Sequence, residues 1–130
     1  MIHLDTSLLV DALTGPRDSA PALERTIASG ERINLSSVVL YEWLRGPRLP
    51  ADIARQEALF PNERSVPFGA REAEVVAILS RTLARPRGRD IDFTIAACAL
   101  THQAILWTLD PDDFDDIPGL KLFTPPRTRG

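Results

Sequence analysis

Short apolar segments alternate with helix-patterned stretches along this chain, and that alternation constrains the fold more than any other feature. Ile2-His3-Leu4 reads as a strand, as do residues 32–35 and 104–107. Residues 64–66 and 120–123 read as two more. Between the strands, Thr6 or Ser7 caps a helix carrying Leu8, Leu9, Val10, Ala12 and Leu13, and Gly15-Pro16 ends it. A second helix covers residues 20–29 and stops at Gly30. Ser36 or Ser37 caps a third that runs to Arg45, where Gly46-Pro47 terminates it. Residues 51–60 and 70–84 are helical in pattern; in the latter, Ala73, Val76, Ala77, Leu79 and Leu83 recur at helical spacing. Residues 91–101 are almost wholly apolar, so that helix is expected to be buried. Strands separated by helices imply an α/β chain with a mostly parallel sheet and helices on both faces.

At 130 residues the chain reads as one domain, residues 1–130, long enough to bury a core. An apolar content of 44% with 25% charged residues sets disorder aside. The single cysteine, Cys98, rules out an intrachain disulfide framework and fits a reducing cytoplasm. It lies in the run Ile95-Ala96-Ala97-Cys98-Ala99-Leu100 and reads as a small core residue. Asp5 and Asp11 break the first apolar stretch, and no apolar run approaches membrane-spanning length. No membrane partner is expected. The net charge of −3 argues against a protein that coats nucleic acid non-specifically. It leaves a nuclease open, because bound cations change the local charge of an acidic site.

Four carboxylates, Asp5, Glu42, Asp92 and Asp110, carry the functional signal. Asp5, Asp92 and Asp110 fall where a predicted strand ends or a helix begins, and Glu42 lies in the short helix after the second strand. In an open parallel sheet the strand ends gather at one edge, where ligands bind. Carboxylates brought together there repel, and hard divalent cations are the usual remedy. An acidic, metal-loaded pocket points to phosphodiester hydrolysis. Each acid singly has a plainer reading. Asp5 is placed to be a helix N-cap, Glu42 to pair with Arg45, and Asp92 to complement a helix dipole. Asp110 stands in an acidic turn with Asp112, Asp113, Asp115 and Asp116. The conjunction at strand and helix ends favours a site. Thr6, Ser7 and Thr108 offer hydroxyls beside it, with capping or turn hydrogen bonding as their alternative.

Other chemistries fit badly. The chain has no Walker-type phosphate loop and no G-x-G-x-x-G. His3 and His102 lack zinc spacing and read as structural. The run Asp110-Pro111-Asp112-Asp113-Phe114 fails as a calcium loop, since Phe114 takes a ligand position and the turn glycine is missing.

Four segments, in order, resemble the motifs of the PIN-domain ribonucleases, and among them the VapC-type toxins of bacterial type II toxin–antitoxin systems. They are Ile2-His3-Leu4-Asp5-Thr6-Ser7, then Ser37-Val38-Val39-Leu40-Tyr41-Glu42-Trp43-Leu44-Arg45-Gly46, then Asp92-Phe93-Thr94-Ile95-Ala96-Ala97-Cys98-Ala99, and last Trp107-Thr108-Leu109-Asp110-Pro111-Asp112-Asp113-Phe114. The resemblance implies a three-layer α/β/α sandwich, usually dimeric, that cleaves RNA and is silenced by a cognate antitoxin. It makes Asp5, Glu42, Asp92 and Asp110 an acidic quartet holding Mg²⁺ or Mn²⁺, with Asp5, Asp92 and Asp110 as metal ligands. Thr6 and Thr108 become supporting hydroxyls, and Asp113 a rival or additional ligand.

The chemistry expected is metal-assisted attack of water on a phosphodiester. Arg45 follows Glu42, and Arg85, Arg87 and Arg89 precede Asp92; they either guide phosphates or form a solvated basic loop. By its place at the strand end, Asp110 is expected to face the crevice, with Asp113 at its edge and Asp112 in solvent. Leu49, Ile53, Phe60 and the helix around Tyr41 and Leu44 offer spare apolar surface for a homodimer or antitoxin. Two other classes compete. A phosphatase or phosphotransfer domain wants a second acid where Ser7 stands, or a late lysine unlike Lys121, which lies within the last predicted strand. A non-catalytic interaction module on the same fold is the third reading. Nuclease and phosphatase assays with and without Mg²⁺ separate the three.

Overall fold

The computed structural model describes residues 1–17 and 19–126. By sequence, Pro125-Pro126 opens a basic tail, and residues 127–130 of it lie outside the described residues. Among the described residues three strands form the sheet: β1 (Ile2–Leu4), β2 (Ile33–Asn34) and β3 (Ile105–Trp107). The helices among the described residues are α1 (Thr6–Thr14), α2 (Ala20–Ala28), α3 (Ser37–Arg45), α4 (Pro50–Leu59), α5 (Ala70–Thr82) and α6 (Asp90–Thr101). The strand order is β2-β1-β3, and both pairings are parallel. Ile2 pairs with Ile33 on one side and Ile105 on the other.

Two of the five expected strands shrink to single bridges. Val66 meets Ser36, and Leu122 meets Leu106, each in parallel. Residues 62–64 close a 3₁₀ turn instead of extending. The bridges still prolong the sheet at both edges: Val66 N donates to the Leu35 carbonyl at 2.8 Å, and Phe123 N to the Leu106 carbonyl at 2.7 Å.

The chain leaves β1 toward β2, then returns past β1 to β3. Right-handed crossovers running in opposite directions put their helices on opposite faces of a sheet. Helix α1 packs on α2, α3 and α4, whereas α5 packs on α6, and α3 touches both groups. The layers close on a core that includes Leu4, Leu8, Leu9, Trp43, Phe93 and Leu106. The middle of α6 is apolar on every side because it is buried, with Ile95 through Ala99 all inside. Phe60, expected at a free surface, is buried in that core as well. Its backbone caps α4, and the Gln56 side chain reaches its carbonyl at 2.8 Å.

Asp11 is a buried acid whose role the pattern of α1 did not announce. It accepts from the backbone N–H of Arg17 (2.6 Å) and Ser19 (2.8 Å), and from the Ser19 hydroxyl. Burial alone would raise its pKa, but those hydrogen bonds prevail and hold it below the usual range. The chain doubles back so closely that a Cβ on Gly15 would lie 2.5 Å from the Asp11 Cα. Asp11→Ala would strand two backbone donors at once. A loss of about 2–3 kcal/mol is expected, measured by urea denaturation; a change below about 0.5 kcal/mol would show that the loop does not need the carboxylate.

His3, in the central strand, is buried, and neither ring nitrogen has a protein partner among the described residues. Burial, then the neighbouring His102, lowers its pKa to about 4. Between about pH 6.5 and 4 the unfolded chain therefore binds a proton that the folded chain refuses. Stability from this group is full above pH 6.5 and falls as pH drops toward 4, by about 2–3 kcal/mol. His3→Leu should flatten that part of the pH–stability curve, and an unchanged slope would assign the acid sensitivity elsewhere.

Candidate active site

The strand order reverses at β1, so the carboxyl ends of β1 and β3 open a crevice at the switch point of the sheet. Asp5 follows β1 there, and its N–H donates to the Trp107 carbonyl at the end of β3 (2.9 Å). That bond sets Asp5 beside Thr108. The Thr108 hydroxyl donates to Asp5 Oδ2 at 2.7 Å, and the Ser7 hydroxyl to the same oxygen at 2.9 Å. Leu109 N donates to Ser7 Oγ (3.1 Å) and Asp110 N to Thr108 Oγ1 (3.0 Å), so both hydroxyls are themselves fixed by the backbone after β3.

Asp5 occupies the N-cap position of α1, yet its side chain makes no capping hydrogen bond. Neither Thr6 nor Ser7 caps the helix as expected. Thr6 Oγ1 instead crosses to Glu42 on α3, donating to Oε1 at 2.6 Å. The expected Glu42–Arg45 pair forms at 3.6 Å through the other carboxylate oxygen. Ser36 does cap α3, accepting from Val39 N at 3.2 Å. The local capping motif and the long-range bonds thus divide the hydroxyls among them.

The acids feel one another. Asp5 is only 6% exposed, and burial raises its pKa despite the Thr108 and Ser7 hydrogen bonds, with the Glu42 charge pushing the same way. Asp92, in the first turn of α6, is pushed up to about 6 by burial first, then by the charges of Asp113, Asp5 and Glu42. The Arg89 charge only partly offsets them. Among the described residues Asp5, Asp92 and Asp113 have no ion-pair partner within 4 Å.

Asp110 stands apart. Its side chain is 47% exposed and pairs with Arg17 at 4.0 Å. The 3₁₀ turn Pro111–Asp113 carries the chain over, with Phe114 N donating to the Pro111 carbonyl at 3.0 Å and the Phe114 ring buried. Asp113 lands opposite Asp92, across a cleft of about 530 Å³ lined also by Arg85, Gly88 and Arg89. Of the three basic residues preceding α6, Arg85 lines this cleft free of any ion pair among the described residues, while Arg89 is bound to Asp116 at 2.6 Å. Asp112 lines the same cleft and is exposed.

A hard cation fits the donor set. Asp5 is buried, Asp92 half-buried and Asp113 exposed, and unpaired, mutually repelling carboxylates of this kind are what Mg²⁺ or Mn²⁺ relieves. Among the described residues no three acid, imidazole or thiol side chains already converge closely enough to enclose an ion. To hold one, the carboxylates of Asp5, Asp92 and Asp113 would have to draw inward. Cys98 and the histidines contribute nothing here. Cys98 is fully buried, and its thiol is pushed up to about 11 by burial first.

Residues 2–120 match the model of the PIN domain family. The chain is 32% identical over 123 residues to ribonuclease VapC19 of Mycobacterium tuberculosis, covering 91% of this chain and 95% of that protein. Solved structures share the fold at lower identity. FitAcB from Neisseria gonorrhoeae superposes with a TM-score of 0.72 at 21% identity, over 96% of this chain and 98% of that one. VapBC2 from Rickettsia felis, bound to a promoter DNA fragment, gives 0.68 at 24% identity, over 95% and 98%. The acidic crevice at the end of β1 is thus carried on a known scaffold, and the chain belongs to the PIN domain family.

Proposed function

We propose that this protein is a metal-dependent ribonuclease, a single cytoplasmic PIN domain acting as the toxin of a toxin–antitoxin pair. One observation carries the reading: Asp5, Glu42 and Asp92, from three separate elements, lie near enough at the switch-point crevice for their charges to act on one another, and neither Asp5 nor Asp92 has an ion-pair partner among the described residues. The 32% identical relative named as a ribonuclease supports it, and so do the toxin–antitoxin complexes among the fold's neighbours. No helix among the described residues is long and apolar enough to cross a membrane.

Asp5 and Asp92 would hold Mg²⁺ or Mn²⁺ directly. Asp113 would join them as the third carboxylate, with Asp110 nearer the rim. When bound, the cation supplies charge against the phosphoryl oxygens and a nucleophile at neutral pH. The chain's own residues do the rest. Ser7 and Thr108 fix the orientation of Asp5. Thr6 holds Glu42 by one oxygen, so that Glu42 is placed to accept a proton from the attacking water or to orient it. Arg85 meets the RNA backbone at the cleft mouth.

The antitoxin and a second copy of the chain would use apolar surface. A cleft of about 290 Å³ lies among α1, α2 and α4, lined by Leu13, Leu23, Ile27 and Leu59 with Glu24 and Arg55 at its margin. Tyr41 and Leu44 on α3 and Leu49 (68% exposed) form a separate exposed apolar group suited to a homodimer. A clean monomer by light scattering, with and without antitoxin, would remove both assignments.

The test of the activity is direct. Purified protein should cleave RNA in Mg²⁺ or Mn²⁺ and stop in EDTA. Undiminished cleavage in chelator would overturn metal-dependent hydrolysis, and phosphatase activity without cleavage would favour the rival enzyme class.

A further inference from the structure

Arg89 is a cation in the wrong place for its helix. It occupies the N-cap of α6, where the dipole favours negative charge, and its side chain makes no capping bond. Its guanidinium has other partners. Nη1 and Nη2 donate to the two oxygens of Asp116 at 2.8 and 2.6 Å, a bidentate fork. Nη2 also donates to the backbone carbonyl of Asp113 at 2.9 Å. The guanidinium lies 4.8 Å from the centre of the Phe93 ring, and Phe93 is fully buried. The Arg89 side chain is 17% exposed, against 45% for Asp116.

These contacts join the start of α6 to the segment after β3. Asp92 sits on α6, three residues after Arg89, and Asp113 sits on the 3₁₀ turn after β3. We infer that Arg89 is a positioning residue, a clasp that holds the Asp113 backbone against the start of α6 and so sets the spacing between the Asp92 and Asp113 carboxylates. Asp116 is the other half of the clasp. By taking both its oxygens, Arg89 withdraws Asp116 from any role as a ligand. The inference rests on the ribonuclease reading for its functional meaning and on these hydrogen bonds for its geometry.

The alternative role, a phosphate contact, predicts different behaviour. A phosphate-binding Arg89 would be weakened by Arg89→Ala in the KM for RNA and in the salt dependence, and freed rather than harmed by Asp116→Asn. A clasp requires both residues. Arg89→Ala and Asp116→Asn should each raise the Mn²⁺ concentration for half-maximal binding, followed by electron paramagnetic resonance without RNA, by about 10–100-fold. Cleavage at limiting metal should fall similarly while KM for RNA stays near wild type. The double variant should lose no more than the worse single one, because the two act as a unit. Arg89→Lys should restore little, since an ammonium cannot reproduce the fork.

Amide hydrogen exchange across residues 113–117 separates this inference from the activity itself. Both single variants should exchange faster there than the wild-type chain. Unchanged exchange, or an Asp116→Asn variant that binds Mn²⁺ and cleaves as well as wild type, overturns the clasp. If the wild-type chain neither binds Mn²⁺ nor cleaves RNA, the ribonuclease reading fails, and exchange alone still decides whether Arg89 holds the turn.

Discussion

Asp5→Asn should abolish RNA cleavage, by at least about 100-fold, and at the same time raise the melting temperature of the metal-free protein. The two effects have one cause. Asp5 is buried, and its charge lies near those of Glu42 and Asp92. A carboxylate there suits a bound cation and is unfavourable without one. Asparagine keeps an oxygen to accept from Ser7 and Thr108, so the local hydrogen bonds that fix residue 5 survive. What it removes is the charge. The pH dependence gives the sign. The folded-state pKa of Asp5 is raised, so the folded chain holds a proton that the unfolded chain releases first, and the group's destabilising charge develops as pH rises through the raised value. The gain in melting temperature should thus be present at pH 7 and vanish toward pH 4. Asp92→Asn should behave alike, with its transition near pH 6. Should Asp5→Asn unfold the protein, Asp5 is a structural cap after all. Retained cleavage would remove it from the site.

Much of this arrangement was legible in the sequence because strand ends are easy to place when apolar triplets are followed by polar residues. Ile2-His3-Leu4 and the run ending at Trp107 fixed where Asp5 and Thr108 emerge, and parallel pairing then set them side by side. Glu42 was legible from its helix, since Ser36 and Gly46 bound α3 to within a residue. The hydroxyls were less so. A threonine and a serine at a helix start look like caps, and only the tertiary fold brings Glu42 within 2.6 Å of Thr6. Asp11 was hidden for the same reason, being an acid among Leu8, Leu9, Ala12 and Leu13 whose partners are backbone groups of the next loop. The pairing of Arg89 with Asp116 spans 27 residues and has no local signature at all. The strands expected at residues 64–66 and 120–123 were too short to outlast a single bridge each, so hydrophobic pattern located them but overstated their length.

For the fourth acid, the expected result favours Asp113 over Asp110, the acid at the strand end. Asp113→Asn should reduce cleavage at limiting Mg²⁺ by about 10–100-fold, Asp110→Asn by only about 2–5-fold, within what a rim charge contributes, and Asp112→Asn hardly at all. Asp110 does follow β3, but the bond from its N–H to Thr108 Oγ1 and the proline after it start a turn immediately. In a 3₁₀ turn residues three apart eclipse one another, so Asp113 repeats the position of Asp110 one turn further along. Burial of Phe114 draws that turn inward, and Arg89 fastens the Asp113 carbonyl to the start of α6. After burial, the charge of Asp113 is the strongest influence raising Asp92, whereas Asp110 faces Arg17. The distinction has an independent readout. Asp113→Asn should lower the apparent pKa of Asp92 in metal-free protein, followed by carboxyl NMR, and Asp110→Asn should leave it in place. If Asp110→Asn proves the more damaging change and the one that moves Asp92, the turn opens when metal binds, and the strand end, not the turn, supplies the fourth carboxylate.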